Sequence, residues 1–362
     1  MLGEDLFSMG KPPPVIVGTG LVALDVVIPG EAEKAPRLWA GGTCGNVLTV
    51  LAYLGWEAYP VARLGQDNPS QWVAQDLATC GVHLDFLQRE PGGATPVIVQ
   101  HIQEGGVEGG THSFSWRCPF CGSDLPRYRP LRLSDLDQLT PQLPHANVFF
   151  FDRVSPAALR LAEHYATRGA LVVLEPSGIG DQRLFRNALA LVHVLKFSHE
   201  RLGGSDTVVD AEQPWLVVET LGRDGLRYRG RHPAVAGRGW QHLSAIPAPL
   251  VLDTAGSGDW CTAGILHSLG RGMSAFRQAT RSLLVDALRF GQTLAACNCG
   301  FEGARGGMYC VSTKAFADSI GALMGGQGYR SPQSLRSTPD NNTPQPFACP
   351  SCPPVESPRA LG

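Results

Sequence analysis

The chain has 362 residues and a net charge of −2, so it lacks the basic excess of a general nucleic-acid or membrane-surface binder. Apolar residues make up 43% and charged residues 17%, which supports a large core and excludes global disorder. No stretch reaches the roughly 20 apolar residues of a membrane span, and Met1 to Met9 has no basic segment leading into an apolar run. A cytoplasmic protein is expected, with its ten cysteines reduced or bound to metal.

Residues 14–18 are a short apolar run ending in glycine and read as a strand; 21–28 alternate enough to form another. Residues 45–54 carry apolar side chains at helical spacing and stop at Gly55. Strands follow at 61–64, 97–101 and 148–151, then a helix at 156–167 and a buried strand at 170–174. Further strands fit 191–196 and 215–220, and helices fit 259–269 and 275–296. Strands alternating with helices, several of them continuous apolar runs, imply a mostly parallel sheet covered on both faces. The Gly- and Thr-rich stretch 92–115 predicts β-structure projecting from that sheet. From Gly325 onward Pro, Ser, Asn and Gly dominate, the composition of a tail.

The chemistry concentrates in Asp253-Thr254-Ala255-Gly256-Ser257-Gly258-Asp259. Ala255, Gly256, Ser257 and Gly258 are small enough for backbone to approach a phosphate, and the N–H groups opening the next helix would form an anion hole. Asp259, in the first turn of that helix, is placed to accept the proton of an attacking hydroxyl. Taken alone, the same residues describe an ordinary strand-to-helix turn with a capping carboxylate.

This turn resembles the second signature of the PfkB family, Asp-Thr-x-Gly-Ala-Gly-Asp, with Ser257 in the alanine position. Ala40-Gly41-Gly42-Thr43-Cys44-Gly45-Asn46, followed by Leu51-Ala52-Tyr53-Leu54-Gly55, resembles the first. Thr220-Leu221-Gly222-Arg223-Asp224-Gly225 is similar to the loop that lies along the nucleotide, and Asn298 falls where the family contacts adenine. Asp25 matches an early aspartate that holds sugar hydroxyls, and Gly65-Gln66-Asp67 and Gly81-Val82 echo further elements. The resemblance runs from about Val15 to Gly307. It implies a ribokinase-like three-layer α/β sandwich over residues 1–325, with a small β-lid from about 20–45 and 92–118 and a tail over 326–362. It further implies an ATP- and Mg²⁺-dependent kinase of a sugar or sugar-like acceptor held by Asp25, Gly41, Gly42 and Asn46. Asp259 would be the base, and Thr220, Gly222, Gly225 and Asn298 would serve the nucleotide. Lids of this family often contribute to homodimers. Without the resemblance, Asn46 reads as a plain N-cap.

Two departures stand out. The family's Asn-x-x-Glu, which organises Mg²⁺ and phosphate, is represented by Ser198-His199-Glu200-Arg201, so Glu200 stands one residue early. Glu175-Pro176-Ser177 replaces a frequent Asp-Pro-Asn. A nucleoside kinase, or a catalytically retired sensor or zinc-stabilised interaction protein on the same fold, are the alternatives.

Cys118-Pro119-Phe120-Cys121 and Cys349-Pro350-Ser351-Cys352 each offer two thiolates. Two such knuckles make the ligand set of a tetrahedral structural Zn²⁺ site, because four thiolates leave no open position. Their separation exceeds that of a zinc ribbon, so the tail would have to fold back onto the segment after the lid. A redox pair and unpaired surface thiols are the other readings. The remaining cysteines show no comparable spacing and read as core.

Overall fold

A computed structural model of the chain describes residues 12–28, 36–103, 111–202 and 214–325, together with Cys349 and Cys352. Of the tail read over 326–362, all but those two cysteines lies outside the described residues, as do 29–35 and 104–110 of the lid stretches.

In chain order the first elements are β1 (Val15–Thr19), β2 (Ala23–Ile28), β3 (Arg37–Gly41), α1 (Thr43–Tyr53), β4 (Glu57–Pro60) and β5 (Ala62–Gly65). Next come α2 (Asn68–Thr79), β6 (Leu87–Glu90), β7 (Val97–Gln103), β8 (Thr111–Ser115), α3 (Leu133–Leu139) and β9 (Val148–Phe151). The middle holds α4 (Pro156–Ala166), β10 (Leu171–Leu174), α5 (Gln182–Leu191), β11 (Val194–Ser198), α6 (His199–Leu202) and β12 (Leu216–Thr220). The chain then forms β13 (Leu226–Arg229), β14 (Gln241–Leu243), α7 (Ser257–Leu269), α8 (Met273–Arg277), α9 (Arg281–Asn298), α10 (Gly306–Cys310) and α11 (Thr313–Met324).

The central sheet has the order β14-β13-β12-β11-β10-β9-β1-β4. From β12 to β4 every neighbouring pair is parallel; β13 and β14 are antiparallel additions. Apolar strands dictate the layering. Every residue of β9 and β10 is buried, so neither face of these strands tolerates water. Val148 and Phe150 point into a cluster with Leu48 of α1, Leu266 of α7 and Leu288 of α9. Phe149 and Phe151 point the other way, against Leu161 of α4 and Phe185 of α5. Burying each of these phenylalanines contributes about 1.5–3 kcal/mol.

The stretch 275–296, expected to be one helix, is two. Thr280 takes an extended conformation, and its hydroxyl oxygen accepts the Leu283 N–H at 3.2 Å, capping α9 afresh after α8 has ended.

The predicted projecting β-structure is a separate sheet in the order β3-β2-β7-β8. Strand parity gives it two distinct faces. Leu24, Val26, Val97 and Val99 pack with Val73 and Leu77 of α2. Asp25 is registered with Trp39 and Ile98, and these stand on the opposite face. No helix among the described residues is long and apolar enough to cross a membrane.

Candidate active site

The carboxyl ends of the parallel strands converge where open α/β sheets bind ligands. Asp152 follows β9, Glu175 follows β10, Ser198 ends β11 and Thr220 ends β12. The glycine turn and α7 lie over them.

Asp253 organises that turn. Its buried carboxylate accepts from Gln100 Nε2 at 2.6 Å, from Gly303 N–H at 2.8 Å and from Ala255 N–H at 2.9 Å, and lies 3.1 Å from His112 Nδ1. Burial opposes ionisation, but the bonds from His112, Ala255 and Gly303 outweigh it and hold Asp253 below the usual carboxylate range. Gly256 adopts φ 71°, and a Cβ there would collide with the Ala304 carbonyl oxygen, so the turn needs glycine. The Ala255 N–H is taken by Asp253, and the Ser257 N–H donates to the Thr254 carbonyl at 3.2 Å. Among the described residues no backbone carbonyl takes the amides of Gly256, Gly258 and Asp259, at the positive end of α7. This set fits a phosphoryl group.

Asp259 is the third residue of α7 and half-buried. Its Oδ2 accepts from Asn46 Nδ2 at 2.7 Å, a contact between residues 213 apart. Burial and the neighbouring Glu175 carboxylate push its pKa up to about 7, while the Asn46 bond and the charges of Lys196 and Arg201 pull the other way. Beneath it, Lys196 Nζ donates to Glu175 Oε1 at 2.6 Å and to the Gly258 carbonyl at 2.9 Å, and Thr262 Oγ1 donates to Glu175 Oε2. This buried pair fastens the first turn of α7 to the sheet. Removing one partner would strand a buried charge, at a cost of about 3–5 kcal/mol.

The residues predicted to hold the acceptor meet Asp259. Gly42, not Asn46, caps α1, which leaves the Asn46 side chain free for Asp259. A Cβ at Gly41 would overlap the Asp25 carboxylate, so glycine is what lets β3 pass beside it. Asp25 Oδ1 and Asn46 Oδ1 are buried without a hydrogen-bond partner among the described residues. Two such acceptors fit hydroxyl donors from a ligand. Burial pushes Asp25 up to about 7, moderated by the Arg305 charge and the Gly42 N–H. Arg305 is itself buried and anchored on the Ala40 carbonyl and on Asp76 at 2.7 Å.

Thr220 ends β12 and Gly222 begins a tight turn exposed to solvent, closed at Gly225, where φ is 97°. Asn298 is fully buried, and backbone engages both ends of its amide: Nδ2 donates to the Ala304 carbonyl at 3.1 Å and Oδ1 accepts the Gly307 N–H at 3.2 Å. It braces the turn from behind. Glu200 is exposed at the head of α6. The adjacent Arg201 is the member of this segment whose charge reaches Asp259 and Asp152. His199 instead pairs with Glu219 at 2.6 Å.

Glu175, Lys196, Thr262 and Arg305 were not assigned roles from sequence. A signal existed for two: Lys196 is a lone charge inside the apolar run of β11, and Glu175 closes that of β10. Charges so placed are buried only when paired.

The Sγ atoms of Cys118, Cys121, Cys349 and Cys352 all lie within 4.8 Å of one another, a group that could hold a metal ion. Burial pushes the thiols of Cys44, Cys261, Cys297 and Cys299 up, as for inert core cysteines.

Residues 141–309 match the family described as pfkB family carbohydrate kinase. Over 316 residues the chain is 38% identical to ketohexokinase of Mus musculus, covering 80% of this chain and 97% of that one. Over 306 residues it is 27% identical to ribokinase of Arabidopsis thaliana, 76% of each. It superposes on fructokinase with bound ATP from Xylella fastidiosa with a TM-score of 0.65 at 18% identity, covering 86% of this chain and 98% of that one. The last likeness speaks to the fold.

Proposed function

The chain belongs to the pfkB family of carbohydrate kinases, and from that premise we propose that it transfers the γ-phosphoryl group of ATP to a hydroxyl of a sugar or sugar-like molecule. The observation that carries this reading is the 2.7 Å bond from Asn46 Nδ2 to Asp259 Oδ2, which joins acceptor-binding residues to the base. Asp25 Oδ1 and Asn46 Oδ1 accept from acceptor hydroxyls, while Gly41 and Gly42 let the ring approach backbone. Asp259 takes the proton of the attacking hydroxyl. The hydroxyl oxygen bonds to the γ-phosphorus as the bond to the ADP oxygen breaks, and the carboxyl then releases its proton to solvent.

The amides of Gly256, Gly258 and Asp259 face the charge of the transferring group, with Ala255 and Ser257 shaping the turn. Thr220, Gly222 and Gly225 border the nucleotide, and Asn298 holds the wall behind it. Mg²⁺, when bound, neutralises phosphate charge; Glu200 is the carboxylate assigned to it, through water, and Arg201 supplies a further cation. The four-cysteine cluster is assigned to Zn²⁺, the metal that four thiolates in a closed tetrahedron favour. The lid is assigned as a homodimer contact.

ATP consumption with Mg²⁺ across a panel of sugars and nucleosides, with Asp259→Asn alongside, tests the reading. One acceptor should stimulate turnover, and the variant should lose about 10²–10⁴ in rate while retaining ATP binding. A nucleoside as the stimulating compound would replace the sugar assignment. Measurable ATP binding with no stimulation by any compound would overturn the enzyme in favour of a sensor on the same fold.

A further inference from the structure

The two cysteine pairs are built differently and meet at one point. Cys118 sits in a tight loop bounded by the Arg117–Asp124 bridge. Its N–H donates to the Ser123 carbonyl at 2.8 Å, its carbonyl accepts the Gly122 N–H at 2.9 Å, and Gly122 takes φ 74° to close the turn. The Phe120 N–H points at Cys118 Sγ at 3.5 Å, the kind of outer contact that supports a thiolate ligand. From the far end of the chain, Cys349 is buried and its carbonyl accepts the Cys352 N–H at 3.1 Å. Residues 228 and 234 positions apart then face each other: Cys121 Sγ lies 3.6 Å from Cys349 Sγ, and Cys118 Sγ lies 3.6 Å from Cys352 Sγ.

These distances select the chemistry. A metal–sulfur bond of about 2.3 Å in a tetrahedron sets the sulfurs about 3.8 Å apart, whereas a disulfide requires about 2.05 Å. Simple core packing does not account for the group either, because Cys121 is exposed while Cys118 and Cys349 are buried.

Its place in the fold gives it a task. Cys118 and Cys349 belong to the apolar cluster of Leu24, Val26, Val97 and Val99. That is the face of the lid sheet turned away from Asp25. We propose that the four thiolates bind one Zn²⁺ that clasps the C-terminal segment to the back of the lid sheet and keeps β2 and β7 ordered over the acceptor. The consequence for acceptor binding rests on the kinase reading of the site; the metal and the order of the lid do not.

The test uses the full chain, grown with zinc and purified under reducing conditions, beside Cys349→Ser/Cys352→Ser. Elemental analysis after dialysis should find one zinc per chain, lost in the double variant, and Co²⁺ exchanged into the wild type should develop the visible spectrum of a tetrahedral thiolate site. Hydrogen exchange in β7 and β8 should quicken in the variant while β9 and β10 stay protected, which also certifies that the variant folds. The KM for the acceptor should rise about fivefold or more with little change in the KM for ATP. Metal-free reduced protein, iron in place of zinc, or full zinc in the variant overturns the site. Zinc loss with unchanged lid exchange overturns the clasp. If the double variant fails to fold, the elemental analysis and the Co²⁺ spectrum of the wild type still decide the metal, and chelation of folded wild type decides the lid. Should the chain turn over no acceptor, the metal and exchange results stand independently.

Discussion

Asp259 and Asp25 are carried on different elements, yet burial drives both toward a pKa of about 7. For the base role proposed for Asp259 this matters directly, since a carboxylate poised near the working pH can both take and release a proton. A raised pKa means that Asp259 becomes protonated as pH falls through about 7, so the base form is lost on the acid side. The acceptor kcat/KM should therefore fall about tenfold per unit below that point and level off above it. An initial-rate profile checks this; a flat profile down to about pH 5 would remove proton transfer to Asp259 from the mechanism. At this scale the sequence was partly transparent. Asp259 and Asn46 stood out through their motifs, whereas Lys196 and Glu175 required seeing that two lone charges in separate apolar strands face each other at 2.6 Å.

The turn from Asp253 to Asp259 works as an element, because its shape decides which amides bond within it. Gly256→Ala adds a Cβ at φ 71° where the Ala304 backbone already stands. Neither side can move cheaply, since Ala304 also accepts from Trp260 Nε1 at 3.0 Å and from Asn298. We expect a stability loss of about 2–4 kcal/mol with the rate falling as well. Denaturant unfolding measures the first; an unchanged midpoint would show that the turn relaxes without strain. Elements with continuous apolar runs, β9 and β10, were legible almost to the residue. Others hid their nature: β4 ends on Pro60, tolerable because β4 is an edge strand. Helix α2 carries its start signal in Asp67, whose side chain accepts the Ser70 N–H, followed by Pro69 at the first turn. The break between α8 and α9 lay beneath unbroken helical spacing, and Thr280 was the only local clue.

At the scale of the whole molecule, the lid is docked to the body by Gln100 on Asp253, by Arg37 on Glu302 at 2.9 Å and by Trp39 stacked on Tyr309. Its last strand, β8, is an edge and exposes Phe114 at 55%. Edges of this kind recruit a partner unless they are blunted, which supports the lid as a homodimer contact. Sedimentation velocity should find a dimer that Phe114→Glu dissociates; a monomer at micromolar concentration would remove the proposal. Motif and periodicity were enough to read the parallel α/β class, the glycine turn with its aspartate and the two thiol pairs, because each is a property of a few neighbouring residues. Chain crossing supplied the rest. Asn46 reaches Asp259 across 213 residues, and Cys118 reaches Cys352 across 234. No local pattern encodes such meetings, since they depend on how the sheet orders its strands and on which face of the lid packs inward.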